Sequence, residues 1–372
     1  MRVIRGVLIA ALCAVLVGTA AVFVVMLVRG NAARSSGGTP TVTAAPEVEP
    51  ASVTTVATGL RVPWDVAFLP DGTALVTERV RGSALVNEPN AAHVLSVAKD
   101  GTVTVVQRLT EVVPRGEAGL LGIAVSPTYA TDRWVYAYYT TANDNRIVRF
   151  HLGGPVEPIL VGIPAGEFHA GGRIAFGPDG MLYAGTGETY FTPDIAQDPN
   201  SLGGKILRIT PEGKPAPGNP YGDSPVWSIG HRNVQGLAWD SRGRLFASEL
   251  GADHFDELNL IEPGRNYGWP VVEGVGNDPR FVDPVATWST ADASPSGIAI
   301  VGDRVYVACL RGQRLYRLRL DGTAAQTLLV GDYGRLRHVA PAPDGTLWIL
   351  TSNRDGRGAP TADDDRILRL TP

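Results

Sequence analysis

Cysteine is almost absent from this 372-residue sequence, which contains only Cys13 and Cys309. Cys13 lies inside an apolar N-terminal stretch, so Cys309 is alone in the remainder and no disulfide can form there. A small disulfide-stabilised fold is therefore excluded. A basic excess is absent too, because 33 Lys and Arg against 37 Asp and Glu give a net charge of −4. Nucleic-acid binding depends on clustered positive charge, so we expect no nucleic-acid partner.

Glycine and proline, by contrast, are abundant, with 44 Gly and 28 Pro. They show no collagen-like period and stand between short apolar segments, as turn residues do in all-β proteins. With 44% hydrophobic residues the chain can also bury a large core. The composition therefore predicts a globular, mainly β protein.

The N-terminus differs from the rest of the chain. Residues 6–28 are uncharged and mostly aliphatic, with Arg2 and Arg5 before them and Arg29 after. At about 1.5 Å per residue, a helix of this length can span roughly 30 Å of hydrocarbon. We predict an uncleaved transmembrane anchor within residues 1–34, with a cleaved signal peptide as the alternative. The chain that follows is then expected to be exported, and either tethered to the outer face of the cytoplasmic membrane or secreted.

Residues 35–52, rich in Ser, Thr, Pro, Gly and Ala, are predicted to form a disordered linker between the anchor and a folded domain.

The remaining residues, 53–372, contain six copies of one pattern, in which an apolar strand leads into a turn and a second apolar strand. The copies are 64–72, 121–127, 172–180, 236–243, 297–303 and 338–345. A second pattern, an alternating strand that carries Arg or Lys, is clearest at 146–150, 205–209, 314–318 and 366–370. The repeat of roughly 53 residues is the size of a propeller blade. We predict a six-bladed β-propeller, with a β-sandwich as the weaker alternative, and we expect the first strand, near residues 53–60, to complete the last blade.

Arginine, histidine and asparagine are concentrated directly before the inner strands of these units. His169 and Arg173 precede or begin the third unit, Arg232 and Asn233 precede the fourth, and a pair of arginines precedes the sixth, namely Arg335 and Arg337. Equivalent loops of a propeller face one end of the central channel, so these side chains are expected to surround one cavity. Guanidinium groups that converge in this way favour a ligand with carboxylates or phosphates.

Each of these residues also has a structural interpretation. His169 is compatible with a buried structural histidine, and the alternating arginines with an exposed strand edge. Asp256 and Glu257 are compatible with surface charges. The acidic run 363–365 is interpreted as a solvated turn, with a Ca²⁺ site as the alternative.

Several motifs then resemble one family, the soluble quinoprotein glucose dehydrogenases together with the aldose and sorbosone dehydrogenases. These are six-bladed propellers that use pyrroloquinoline quinone (PQQ) and Ca²⁺. The most specific matches are GHRN at 230–233 and NYGWP at 266–270, and the others are GEAGLLG at 116–122, HAGGR at 169–173, AQD at 196–198, GGKILRI at 203–209, DELN at 256–259 and RLR at 335–337. They cover essentially the whole domain in the family's order.

The resemblance implies a role for each matching residue. His169 corresponds to the general base and Arg232 to the residue that polarises the quinone oxygen. The positions implied to contact the cofactor are Glu117, Asn233, Arg311, Arg335 and Arg337. Gly251 and Ala252 fall where two backbone carbonyls bind Ca²⁺. Glu117, where the glucose enzyme has Gln, and Phe168, where it has Asp, depart from the family pattern.

The resemblance therefore implies PQQ- and Ca²⁺-dependent oxidation of an aldose to a lactone, with an unidentified electron acceptor. No Gly-x-Gly-x-x-Gly segment opens a strand-to-helix unit, which argues against a nicotinamide cofactor. The alternative is a non-catalytic propeller that binds a partner protein or glycan. A Ca²⁺-dependent lactonase is a third possibility, but such a site would place Glu, Asn and Asp side chains where this chain has Arg and His.

Overall fold

The computed structural model describes residues 34–35, 42, 45–80 and 91–371. Six four-stranded antiparallel sheets follow one another along the chain, and the strands are numbered here in chain order. Blade 1 contains β3 (Pro63–Phe68), β4 (Ala74–Glu78), β5 (Ala92–Val97) and β6 (Val103–Leu109). Blade 2 contains β7 (Leu120–Val125), β8 (Val135–Thr140), β9 (Asn145–Phe150) and β10 (Val156–Ile163). Blade 3 contains β11 (Gly171–Phe176), β12 (Leu182–Thr186), β13 (Lys205–Ile209) and β14 (Val226–Ile229).

The second half of the ring repeats this arrangement. Blade 4 contains β15 (Val234–Trp239), β16 (Leu245–Glu249), β17 (Phe255–Ile261) and β19 (Ala286–Ser289). Blade 5 contains β20 (Pro295–Val301), β21 (Arg304–Cys309), β22 (Arg314–Arg319) and β23 (Gln326–Leu328). Blade 6 contains β24 (Leu336–Pro341), β25 (Leu347–Thr351), β26 (Ile367–Thr371) and β2 (Ser52–Ala57). The six predicted copies coincide with the inner strands, so the all-β, six-bladed propeller is confirmed.

Short elements complete the description. A two-residue strand, β1 (Arg34–Ser35), pairs in parallel with β18 (Val272–Glu273). The loops hold a single-turn helix, α1 (Tyr129–Asp132), and a 3₁₀ helix at Pro193–Ala196.

The hydrophobic core lies between neighbouring blades. Apolar side chains form six separate clusters, one at each blade-to-blade interface; for example, Tyr136 and Ile174 join blades 2 and 3, and Phe246 and Ile298 join blades 4 and 5. Because both faces of a blade are covered, β8 is buried along its whole length. The outer strand β10 of the same blade is largely exposed or half-buried. This double burial explains why β8 is almost continuously apolar or aromatic rather than alternating between apolar and polar residues.

The first strand of the ring closes the last blade, as predicted. β2 pairs antiparallel with β26, placing Val53 opposite Leu370 and Thr55 opposite Leu368. The backbone groups at the edge of β26 are thereby paired, which removes an open sheet edge.

Described residues of the segment 35–52 contact blades 4 and 5. The N–H of Val42 donates to the carbonyl of Thr287 at 3.2 Å, and Val48 and Pro46 share two backbone hydrogen bonds with Thr327, each of 2.9 Å. Val42 is buried against blades 4 and 5. These residues therefore lie along the outer edge of the ring.

The predicted membrane helix, residues 6–28, lies outside the described residues. Within the ranges that the structure describes, no helix combines the length and the hydrophobicity that spanning a bilayer requires.

Candidate active site

One cavity of about 200 Å³ lies at the end of the ring where inner strands begin and second strands end. In an antiparallel blade these two points are adjacent, so loops from several blades meet there. Its lining comprises Arg79, Gly116, Glu117, Gln235, Leu250, Leu310, Arg337, Asp355, Gly356 and Arg357. These residues come from the loops or strand ends of blades 1, 2, 4, 5 and 6.

Positive charge dominates this cavity. Arg79, Arg337 and Arg357 line it, against the carboxylates of Glu117 and Asp355. Burial and the neighbouring charge of Arg79 lower the pKa of Arg337 to about 9. Burial likewise lowers the pKa of Arg79. Such destabilised cations favour an anionic ligand, which would offset their desolvation.

His169 is held in one orientation beside this cavity. Its Nδ1 lies 2.6 Å from Oε1 of Glu188, and its backbone N–H donates to Oε2 of Glu117 at 3.2 Å. The backbone is left-handed, with φ 51°. Both His169 and Glu188 are buried. Since the carboxylate accepts the Nδ1 proton, a neutral imidazole carries its lone pair on Nε2, as a general base requires.

Gly187 allows the chain to pass close to His169. A Cβ at position 187 would collide with the backbone carbonyl of His169, so only glycine fits at this position.

Arg232 and Asn233 begin the fourth unit and are both buried. The backbone N–H of Arg232 donates to Oε2 of Glu249 at 2.9 Å, and its Nη1 donates to the carbonyl of Leu250 at 3.0 Å. Burial lowers the pKa of Arg232, while Glu188 is the largest opposing charge. Asn233 accepts the N–H of Gly171 at 3.0 Å. Arg232 Nε and Asn233 Nδ2 remain buried without a hydrogen-bond partner.

Glu117 links the base to the cavity wall. Its Oε1 lies 2.7 Å from Nη1 of Arg357. Burial alone would raise the pKa of Glu117, but the charge and hydrogen bond of Arg357 hold it below its usual value. Glu117, which stands where the glucose enzyme has Gln, is therefore paired with an arginine, Arg357.

Arg335 and Arg337 lie side by side on blade 6 and share one carboxylate. Arg335 donates Nε and Nη2 to Oδ2 of Asp355 at 3.0 and 2.9 Å, and Arg337 Nη2 lies 3.7 Å from the same oxygen. Arg337 also donates from Nη1 to Oε1 of Gln235 at 2.9 Å. Both arginines are buried, which excludes the exposed-edge interpretation.

Two arginines singled out from the sequence lie elsewhere. Arg311 is exposed, donates to the carbonyl of Thr290 at 3.5 Å and does not line the cavity, although its neighbour Leu310 does. Arg173 is buried deeper in the channel, where it forms an ion pair with Asp65 and donates to the carbonyl of Gln235 at 2.8 Å.

The predicted calcium ligands lie in a turn held by buried acids. Gly251 donates its N–H to Asp256 at 2.9 Å, and Ala252 donates to Oε1 of Glu273 at 2.7 Å. Gly251 borders a void of about 10 Å³ next to Arg232. Burial raises the pKa of Asp256 to about 7. Among the described residues, no group of three or more His, Cys, Asp or Glu side chains is arranged to hold a metal ion.

Two interpretations of acidic residues as solvent-exposed are wrong. Asp256 and Glu257 are buried, and burial followed by the charge of Glu249 raises the pKa of Glu257 well above its usual value. In the run 363–365, Asp364 and Asp365 are buried as well. Their oxygens accept loop N–H groups, such as that of Val62 at 3.1 Å on Asp365 Oδ2. These carboxylates are buried because they accept hydrogen bonds from loop N–H groups that would otherwise lack a partner.

Sequence reasoning missed part of the site, including Arg79, Glu188, Leu250 and Asp355. Each comes shortly after the second strand of a blade, as do Gly251, Ala252 and Arg311, which the family resemblance supplied, whereas the clustering of Arg, His and Asn pointed only to positions before the inner strands. Because the two strands are antiparallel, both positions face the same end of the ring. The position after each second strand is therefore the signal that would have identified them.

The donor set matches an anionic ligand. Buried nitrogens without a hydrogen-bond partner include Nε of Arg79, Nε of Arg337 and Nε of Arg232. Buried donors in native proteins are almost always paired, so orphaned ones at a cavity indicate a missing acceptor.

Comparisons with known proteins point to one family. A structure of the PQQ-bound form of an aldose sugar dehydrogenase from Streptomyces coelicolor is 54% identical, covers 88% of this chain and 99% of its own, and has a TM-score of 0.80. An aldose sugar dehydrogenase of Escherichia coli K12 is 27% identical over 339 residues, which are 79% of this chain and 88% of that protein. Quinoprotein glucose dehydrogenase B of Acinetobacter calcoaceticus is 29% identical over 289 residues, which are 66% of this chain and 58% of that protein. The sequence model for glucose/sorbosone dehydrogenases matches residues 60–368. The chain therefore belongs to the glucose/sorbosone dehydrogenase family.

Proposed function

We propose that this protein is a PQQ- and Ca²⁺-dependent dehydrogenase that oxidises the C1 hydroxyl of an aldose to a lactone. The observation that carries the proposal is the buried His169–Glu188 pair next to a cavity lined by arginines. The similar Streptomyces protein, whose structure is of the PQQ-bound form, supports the choice of cofactor.

His169 is the proposed general base. Glu188 holds the imidazole by its Nδ1–H, so Nε2 accepts the proton of the sugar hydroxyl as the O–H bond breaks. When bound, PQQ supplies the electron sink that takes the hydride from C1. The sugar then loses one proton and one hydride, which balances the oxidation of the hemiacetal to a lactone.

The other site residues would bind or stabilise charged groups of the ligand and the metal ion. Arg232, buried and partly unpaired, would stabilise negative charge that develops on an oxygen next to it. Arg79 and Arg337 would hold ligand carboxylates. The carbonyls of Gly251 and Ala252 would hold Ca²⁺, which prefers oxygen ligands.

We also propose that the domain is exported and held at the outer face of the cytoplasmic membrane by residues 6–28, because that run is apolar and flanked by arginines. The electron acceptor is then a molecule of the same compartment.

The decisive experiment is a titration of the purified domain with PQQ, followed by absorbance, with Ca²⁺ and with EDTA. We expect saturable binding that needs Ca²⁺, and dye-linked oxidation of an aldose by the loaded protein. Absence of both binding and turnover would contradict the proposal. Saturable binding without turnover of any aldose would favour the non-catalytic alternative.

A further inference from the structure

The fork of Arg335 is already filled by a carboxylate of the protein itself. Asp355 Oδ2 accepts hydrogen bonds from Nε and Nη2 of Arg335 at 3.0 and 2.9 Å and lies 3.7 Å from Nη2 of Arg337. The side chain of Asp355 is only 3% exposed. Both hydrogen bonds end on the same carboxylate oxygen, so this charge-assisted contact occupies two of the donors with which Arg335 could bind a carboxylate of a ligand.

Asp355 also stands between Arg335 and the cavity. Asp355 and Arg337 line the cavity, whereas Arg335 is not part of that lining. A ligand that enters the cavity therefore meets the carboxylate of Asp355 before it can reach Arg335.

The cavity is small for a cofactor with this carboxylate in place. Its volume is about 200 Å³, whereas pockets that enclose drug-sized ligands span roughly 300–1,000 Å³. The residues next to Asp355 in the chain, Gly356 and Arg357, are exposed, and the side chain of Arg357 is 54% exposed. The part of the cavity wall that contains Asp355 therefore borders solvent and not the hydrophobic core.

We propose that Asp355 is a resident counter-ion of the Arg335–Arg337 pair, and that ligand binding exchanges its carboxylate for one of the ligand's own. The inference rests on the proposed function, since it takes PQQ as the ligand. Without an anion, two neighbouring buried guanidinium groups would repel each other, so the empty protein supplies one. A ligand with three carboxylates would replace the negative charge of Asp355 with one of its own and would form an ion pair with Arg335. The need to displace Asp355 lowers the apparent affinity for the ligand, because only those protein molecules in which Asp355 has left Arg335 and Arg337 can bind it.

The test compares the PQQ affinity of the wild-type protein with that of Asp355→Asn in the presence of Ca²⁺, measured by absorbance and by calorimetry without any sugar. We expect the dissociation constant to fall at least tenfold in Asp355→Asn, and the melting temperature of the ligand-free variant to fall. Asp363→Asn is the matched control, since it removes the same charge from an exposed position nearby in the chain, and it should bind PQQ like wild type. Asp355→Glu, which restores a carboxylate, should return the affinity toward wild type.

Unchanged or weaker PQQ binding by Asp355→Asn would overturn the inference and would mean that Asp355 only positions the arginines. A structure of wild-type protein loaded with PQQ tests the same point without a variant. Asp355 should have left Arg335 there, and a retained two-point contact would refute the exchange. If no variant and no wild-type sample binds PQQ, the proposed function itself fails, which is a distinct result.

Discussion

At the scale of single residues, the site consists of charges that are almost all paired with a neighbour of opposite sign. Glu188 contacts His169, Arg357 contacts Glu117, and Asp355 contacts Arg335. Buried charges are tolerated when they are paired and hydrogen-bonded. The unpaired nitrogens that remain, such as Nε of Arg232, mark the places where a ligand would complete the pairing.

The His169–Glu188 pair yields a prediction at this scale. His169→Ala should lower kcat by about 10² or more while PQQ affinity stays unchanged, because loss of a general base affects the proton transfer and not the cofactor contacts. Glu188→Gln should also lower kcat, by about 10², since the amide can donate to Nδ1 and so place the proton on Nε2. Both are measured by steady-state kinetics together with a PQQ titration.

Glu167→Gln is the control for this pair, because Glu167 is exposed and lies two residues before His169. It should retain wild-type kinetics. Full activity of Glu188→Gln would show that the contact at Nδ1 does not orient the base.

At the scale of elements, the ring depends on a strand from the other end of the chain. β2 supplies the outer strand of blade 6 and covers the edge of β26. The segment just before it adds backbone hydrogen bonds to Thr287 and Thr327 on blades 4 and 5. The N-terminal residues of the domain therefore contact three blades.

Stepwise truncation tests this closure. A chain that starts at residue 34 keeps β1 and should unfold at the same temperature as the full-length protein, whereas one that starts at residue 58 lacks β2 and should aggregate, since β26 is then an open edge. A chain that starts at residue 52 keeps β2 but loses the contacts to Thr287 and Thr327, so its melting temperature should be intermediate. Thermal unfolding and size-exclusion chromatography measure both effects. A monomeric and equally stable chain from residue 58 would show that the closing strand is dispensable.

At the scale of the whole molecule, a buried polar group joins blades across the central channel. Asp65 of blade 1 forms an ion pair with Arg173 of blade 3, and its Oδ1 lies 3.2 Å from Nε2 of His338 in blade 6. Burial raises the pKa of Asp65 to about 6, although the charge of Arg173 opposes the shift. Burial, followed by the charge of Arg173, lowers the pKa of His338 well below its usual value.

The raised pKa of Asp65 predicts how the stability of the ring depends on pH. In the folded protein the pKa of Asp65 is about 6, so it keeps its proton up to that pH, whereas an unperturbed aspartate has a pKa of 3.8. The higher proton affinity of Asp65 in the folded state therefore adds about 3 kcal/mol to the free energy of unfolding below about pH 4. This stabilisation is lost as the pH rises through about 6. Asp65→Asn cannot titrate, so the difference in unfolding free energy between wild type and this variant should change over that window. Urea denaturation at pH 4, 5, 6 and 7 measures it.

Asp303→Asn, at an exposed turn, is the matched control and should follow the wild-type curve. Parallel curves for wild type and Asp65→Asn would mean that Asp65 has the same pKa in the folded and unfolded chain.

The six-bladed architecture, and the placement of several candidate site residues at one end of the ring, could be predicted from the amino-acid order alone. The six repeats of an apolar strand followed by a turn are local patterns. Such patterns can be recognised in a sequence because strand periodicity and turn formation depend on residues that are adjacent in the chain. The residues before the inner strands, His169, Arg232, Asn233 and Arg337, could be placed at one end of the ring for the same reason.

Which charged side chains contact one another depends on three-dimensional packing. Glu188 lies 19 residues after His169, and Arg357 lies 240 residues after Glu117, so no local pattern relates them. Their contacts arise because antiparallel strands return second-strand ends to the same end of the ring, and because the ring places the blade 6 loop that holds Arg357 beside the loop that holds Glu117 and leads into blade 2. The burial of Asp355 and Asp256 and the exposure of Arg311 follow from the same packing, since the energy of a charge is set by what surrounds it in space and not by its neighbours in the chain.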